Sequence, residues 1–371
     1  MQPVAVYVHI PFCPTKCGYC DFNSYAMEGE IMERTTRAIL QDLETSPAKG
    51  RPAKTIFFGG GTPTHIPKEQ LTSILKKVME VHPPIEGAEI TSEANPGTID
   101  AEKFAAMREA GFNRLSLGAQ SFKPEDLIRL GRIHQANEIE RAVKLAREAG
   151  FTRINLDLMF ALPGQTRKAW QHNLEAALAL QPEHLSLYCL TLEPNTPFYK
   201  QQLRGELIQP DEEEQRAMYE ACEELLGRHG LLPYEISNYA KPGEECQHNL
   251  CYWRGEEYAG YGPGAVGALN IEGQRLRTTR IKHPVHYSAA LETGASPNCE
   301  EEILGAKELN AERIMLGIRL NETLNLEGLK LDQKGLDTIL ARGWATQDAG
   351  GLQLTKEGRH FCSEVAVALL P

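Results

Sequence analysis

Residues 9 to 22, "HIPFCPTKCGYCDF", set Cys13, Cys17 and Cys20 in a C-x3-C-x2-C spacing directly after an apolar run. A structural zinc site closes its tetrahedron with a fourth Cys or His close by, but the next cysteine is Cys189. Inert thiols belong in a core element, whereas Pro11, Pro14 and Gly18 mark this stretch as a loop. Iron–sulfur clusters normally take one thiolate per iron, so three cysteines on a [4Fe–4S] cluster leave one iron open to a small molecule. The spacing favours the cluster over zinc and over unliganded thiols.

Other residues with chemical potential lie further on. Gly59, Gly60 and Gly61 in "FFGGGTPT" either let a polar ligand approach the backbone closely or make a tight turn. No Gly-Lys-Ser/Thr follows, which rejects a phosphate-binding loop. Glu93 and Asp157 sit in apolar runs where an unpaired carboxylate is costly, so each calls for a structural ion pair or a cationic ligand.

These residues must be positioned by the elements around them. Strand-like runs at Val4 to His9, Lys54 to Phe58, Ala88 to Ser92, Arg114 to Leu117, Arg153 to Leu158 and His184 to Leu190 alternate with amphipathic helical patterns such as "EIERAVKLAREAG". "REAGFNRLSL" and "REAGFTRINL" read as helix ends capped by Gly and leading into the next strand. Strands separated by single helices run parallel. The "GGG", "SEANPG" and "LGAQS" segments and Asp157 all follow or end such strands, so they gather on one face, where sites are built.

The fold expected is α/β: a partial (β/α)6 barrel over residues 1–232. A Gly- and Tyr-rich connecting region, 233–298, reads as an ordered loop over a site, and 299–371 as a small winged-helix-like domain of helix, helix, hairpin and helix. The "DEEE" run at 211 to 214 suits a helix start through the dipole.

With 39 basic against 50 acidic side chains the formal net charge is −11, which disfavours nucleic acid as a partner. No stretch is apolar for long enough to span a bilayer, which leaves at most peripheral contact with a membrane. Nine irregularly spaced cysteines and a first segment without a basic n-region lead us to expect a cytoplasmic chain.

C-x3-C-x2-C with Tyr19 before the last cysteine resembles the motif of radical S-adenosylmethionine (SAM) proteins. The resemblance implies that the open iron is chelated by SAM, whose sulfonium is cleaved to a 5′-deoxyadenosyl radical on one-electron reduction. It further implies SAM contacts from Tyr7, Tyr19, Gly60, Gly61, Thr62, Glu93, Gln120, Arg132 and Asp157; read alone, Arg132 is a solvated helix-end residue. The match runs from about residue 4 to the carboxy terminus and lies nearest the oxygen-independent coproporphyrinogen oxidase-like group. Dehydrogenases of that group carry another Cys where this chain has Phe22, while "CDFNSY" resembles the haem chaperones called HemW.

"HNLCYW" (248 to 253) matches the HNxxYW motif of those chaperones. An imidazole at His248 suits haem iron, and Tyr252 and Trp253 offer flat surface to a porphyrin; the alternative is a loop-capping histidine with core aromatics. Cys246, His248 and Cys251 also have a spacing open to zinc, and Cys251 is a second candidate for haem. Val266 stands where relatives often show His, which counts against a ligand role for that loop. The resemblance implies a chaperone that binds haem, the cluster and SAM, takes electrons from a donor and delivers haem to acceptor proteins. The rival is oxidative decarboxylation of coproporphyrinogen III.

Overall fold

The computed structural model describes residues 1–371. Six parallel strands form its centre: β1 Val4–Ile10, β2 Ala53–Gly60, β3 Pro84–Ala94, β4 Arg114–Gln120, β5 Arg153–Phe160 and β6 His184–Cys189. They pair in chain order, each with the next, with helices between them. This is the expected partial (β/α)6 barrel.

Period-two alternation splits these strands into two faces. One face, including Val6, Val8, Ile56, Phe58, Ile90, Leu115, Leu117, Ile154 and Leu156, joins a core of 54 buried apolar residues under the helices. The alternate positions, Tyr7, His9, Thr55, Glu93, Ser116, Asn155, Asp157 and Ser186, line the inside. A polar interior in a parallel barrel is costly unless side chains or ligands satisfy it, which turns attention inward.

The segment 233–298, read above as a loop region, instead extends the sheet. Strands β7 Leu232–Pro233, β8 Asn238–Ala240, β9 Tyr258–Tyr261, β10 Val266–Ile271, β11 Gln274–Arg280 and β12 Asn298–Leu304 complete a twelve-stranded sheet in the order 12-11-10-9-1-2-3-4-5-6-8-7. β9 lies parallel to β1, pairing Ala5 with Tyr258 through Val8 with Tyr261. Its glycines hid the alternation: Gly260 packs so tightly on β10 that an added Cβ would lie 2.1 Å from the Val266 carbonyl oxygen. "QHNLCYW" is a helix, Gln247–Trp253.

Beyond β12, helices Ala306–Gly317 and Gln333–Ala341, a hairpin of β13 Ala345–Asp348 and β14 Gly351–Leu354, and helix Cys362–Leu369 enclose a separate core of 12 buried apolar residues. Arg319 joins this unit to the sheet, pairing with buried Glu235 at 3.2 Å. No helix is long and apolar enough to cross a membrane.

Candidate functional site

At the carboxyl ends of the six strands lies a cavity of about 350 Å³. Cys13, Cys17, Tyr19, Cys20, Gly60, Gly61, Thr62, Glu93, Gln120, Arg132 and Asp157 all line it. Tyr7 lies just beneath, its hydroxyl 2.9 Å from His9 Nδ1. The structure therefore brings together every residue expected at the cluster and SAM site, and His248, expected at haem, is not among the lining residues.

The three thiols occupy an arch whose feet are joined by backbone pairing of Phe12 with Tyr25. All three are partly exposed and free. Cys13 Sγ lies 3.5 Å from the Thr62 hydroxyl, and Arg132 Nη1 donates to Cys17 Sγ at 3.7 Å. Burial pushes the Cys13 and Cys20 thiols up, and the Arg132 charge helps to offset this at Cys13. No three His, Cys, Asp or Glu side chains converge on a single metal-ion position. The trio therefore does not form a mononuclear zinc site, while three soft donors spread along an arch suit the larger [4Fe–4S] cluster.

Arg132 is also held by the Gly118 carbonyl at 2.8 Å, so it is a site residue and not a solvated helix end. Gln120 sits at the end of β4 with φ of +63°, a left-handed conformation of the kind that collects at ligand sites. Gly60 has φ of +111°, and a Cβ there would lie 2.4 Å from the His9 ring, so the glycine is demanded both by the turn and by close packing.

Glu93 and Asp157 face the cavity without an ion-pair partner, although Arg132 lines the same cavity. Gly60 N–H donates to Glu93 Oε2 at 3.1 Å, while Asp157 accepts from Asn155 Nδ2 at 2.8 Å and Ser116 Oγ at 3.1 Å. Arg114 and Arg153 pair with Glu89, and Arg132 at the same cavity is engaged with Cys17 and the Gly118 carbonyl. Burial, and then the neighbouring Asp157 charge, push Glu93 up to about 8, and burial raises Asp157 as well. The structural ion pairs weighed above are absent, and the arrangement favours a cationic ligand. SAM, with an ammonium and a sulfonium, fits these carboxylates.

His248 lies outside this cavity, and two features of its surroundings count against the haem role expected of it. It packs against Thr55 and Phe57 of β2, with its ring 6.3 Å from that of Tyr7, and is 1% exposed. Both ring nitrogens are engaged, Nδ1 with Thr55 Oγ1 at 2.8 Å and Nε2 with the Tyr252 hydroxyl at 2.9 Å. Burial lowers its pKa to about 3, so the ring is neutral, the form that ligates iron; what opposes ligation is that its one proton and one lone pair already have partners.

Its aromatic neighbours are occupied too. Tyr252 packs edge-on to His248 and Tyr258, and the Arg319 guanidinium covers Trp253 at 4.5 Å. Cys246 and Cys251 are buried, their thiols donating to Glu89 Oε1 and the Gln247 carbonyl. These contacts, with no convergent metal position, also remove the zinc reading. The motif is a helix, not a loop, and its histidine and tyrosine pack against β2 and β9.

Sequence reasoning passed over His9, Asn23, Ser116, Gly118 and Tyr188. The alternation Tyr7, His9 was a usable signal, since residues two apart share a face; nothing local marked Tyr188 or Asn23.

A parallel barrel with an open-cornered thiolate trio and unpaired interior carboxylates defines a radical SAM protein. The Radical SAM superfamily pattern matches residues 7–177. The solved coproporphyrinogen III oxidase of Escherichia coli, described as a radical SAM enzyme, superposes with a TM-score of 0.85 over 99% of this chain and 90% of that one; at 23% identity the likeness is one of fold.

The curated relatives are closer. The haem chaperone HemW of Escherichia coli K12 is 39% identical, covering 98% of this chain and 97% of that protein. HemW of Bacillus subtilis 168 is 37% identical over 99% of both. The chain belongs to the HemW haem-chaperone family.

Proposed function

We propose that this chain binds haem and hands it to acceptor haemoproteins, using a [4Fe–4S] cluster on Cys13, Cys17 and Cys20 with SAM bound beside it. The observation that carries the reading is the pairing, in one cavity, of three free thiols with two carboxylates that lack an ion-pair partner. Gly60, Gly61 and Thr62 supply close backbone approach, Glu93 and Asp157 receive positive charge, and Tyr7, Tyr19, Gln120 and Arg132 shape the surrounding wall. The cluster and SAM, when bound, supply one-electron chemistry at the open iron.

Haem is flat and mostly apolar, with carboxylate tails. We place it at the cavity mouth, where Phe22 is 62% and Tyr188 41% exposed, beside the exposed thiol of Cys189. Exposed aromatic rings bordering a cavity are the surface such a ligand would cover. Phe22 stands where the related dehydrogenases carry a cysteine, which supports cargo handling over coproporphyrinogen decarboxylation. The haem acceptor and electron donor remain proteins of the same compartment, and nine free thiols suit the cytoplasm.

The test is anaerobic reconstitution followed by haem titration and transfer to an apo-haemoprotein. Iron and sulfide in a cubane ratio, a haem Soret band and its transfer are the expected result. Protoporphyrinogen formed from coproporphyrinogen and SAM would overturn the reading.

A further inference from the structure

The arch that carries the three cysteines has little backbone structure of its own. Within it the backbone makes only two short-range bonds, Cys20 N–H to the Cys17 carbonyl at 3.2 Å and Ser24 N–H to the Phe22 carbonyl at 2.7 Å. A loop so sparsely bonded needs anchors to hold three thiolates in a fixed relation to the cavity. Three residues after Cys20 stands one side chain that uses both its N–H donors and its acceptor oxygen.

Asn23 Nδ2 donates to the Pro263 carbonyl at 2.9 Å and to the Lys282 carbonyl at 3.0 Å. Its Oδ1 accepts from the Tyr25 hydroxyl at 3.1 Å. Its backbone carbonyl accepts from His9 Nε2 at 2.9 Å, so that nitrogen carries the proton and Nδ1 accepts from the Tyr7 hydroxyl. One residue thus ties the end of the cysteine arch to β1 beneath it and to a chain segment about 240 positions away in sequence.

The partner segment is shaped to receive it. Gly264 has φ of +81°, and a Cβ there would lie 2.3 Å from Asn23 Nδ2. From within the arch, Lys16 Nζ donates to the Phe22 carbonyl at 3.1 Å and the Ser24 carbonyl at 3.4 Å, bracketing Asn23 on both sides.

We propose that Asn23 is a positioning residue: a latch that locks the cysteine arch onto the 262–282 segment and fixes where the three thiolates stand relative to Gly60, Thr62 and Glu93. The proposal rests on Cys13, Cys17 and Cys20 being the cluster ligands. It gives the strands after β8 a role in the site although none of their side chains lines the cavity: they form the wall to which the arch is fastened.

The test compares Asn23→Asp, which keeps the size but loses both N–H donors, and Gly264→Ala, which crowds the latch from the other side, with the wild-type full chain. After anaerobic reconstitution both variants are expected to hold iron and sulfide as wild type does. The change that SAM causes in the EPR spectrum of the reduced cluster is expected to weaken, and a chelator to strip iron several-fold faster. In the metal-free chain, at a temperature well below the unfolding transition of each variant, trypsin is expected to cut after Lys16 several-fold faster. Wild-type EPR response, iron loss and cleavage in both variants would overturn the latch. Failure of the underlying ligand assignment looks different: wild type itself would then carry no cubane, or Cys17→Ala would leave it intact.

Discussion

His248 and Tyr252, one helical turn apart, hold each other by a hydrogen bond of 2.9 Å between Nε2 and the phenol, and Thr55 occupies the other ring nitrogen. The motif that suggests iron ligation is closed on itself. His248→Gln is therefore expected to leave haem affinity and the Soret maximum unchanged. His248→Ala leaves the Thr55 and Tyr252 hydroxyls without partners in a buried site and should cost roughly 2–4 kcal/mol in urea unfolding. A lost Soret band in a folded His248→Gln chain would restore the imidazole as ligand.

Glu93 predicts a pH dependence. Its carboxyl stands at about 8 in the folded chain against an ordinary value of 4.5, so between those values the folded state holds a proton that the unfolded state has released. Stability of the metal-free protein should thus be greatest below about pH 4.5 as far as this group is concerned, and fall as pH rises toward 8, by up to about 1.4 kcal/mol per unit. A cationic ligand prefers the ionised carboxylate, so affinity for SAM should rise over the same window with release of a proton. Urea midpoints and calorimetric titrations across pH measure both, and Glu93→Gln should flatten both curves.

The barrel half of the molecule was legible because its strands are short β-branched and aromatic runs bounded by helices, and because parallel pairing in chain order needs no distant partner. The later strands were not. β9 lies against β1, and nothing in "YAGY" announces a partner more than two hundred residues earlier. Gly260 and Gly267 blur the alternation and exist to allow close backbone packing. At the site, cysteine spacing carried a definite ligand count, three thiolates for four irons, whereas a histidine with two aromatics suits a porphyrin and a packed floor equally well. Only the occupancy of both ring nitrogens separates those two cases. Glu93 and Asp157 were visible as costly carboxylates, but the absence of their counter-ions is a three-dimensional fact.

Gly60→Ala should act on the site through geometry alone. The added methyl would meet the His9 ring and also hold a left-handed backbone angle, a strain of roughly 1–3 kcal/mol. Because His9 also bonds the Asn23 carbonyl, the displaced ring would disturb the cysteine arch. The expected outcome is a folded chain of lower urea midpoint, with weaker SAM binding and faster iron loss. Haem titration at the mouth should change less than SAM binding does.

At the other end of the barrel, Arg319 predicts a separable effect. Its guanidinium pairs with the fully buried Glu235 at 3.2 Å and lies over Trp253 at 4.5 Å, fastening the C-terminal unit to the HNxxYW helix. Ser237 N–H and Asn238 Nδ2 also donate to Glu235, at 2.6 and 2.7 Å, so its charge is not orphaned when the arginine is removed. Arg319→Ala should then cost about 1–3 kcal/mol. Arg319→Lys should recover only part of that, because an ammonium cannot stack flat on the indole while pairing. Hydrogen exchange should quicken in the helices of residues 306–317 and 362–369, while the SAM-induced EPR change stays at the wild-type level. A matching loss of that EPR response would mean that the two ends of the barrel are mechanically coupled, contrary to an interior held strand by strand.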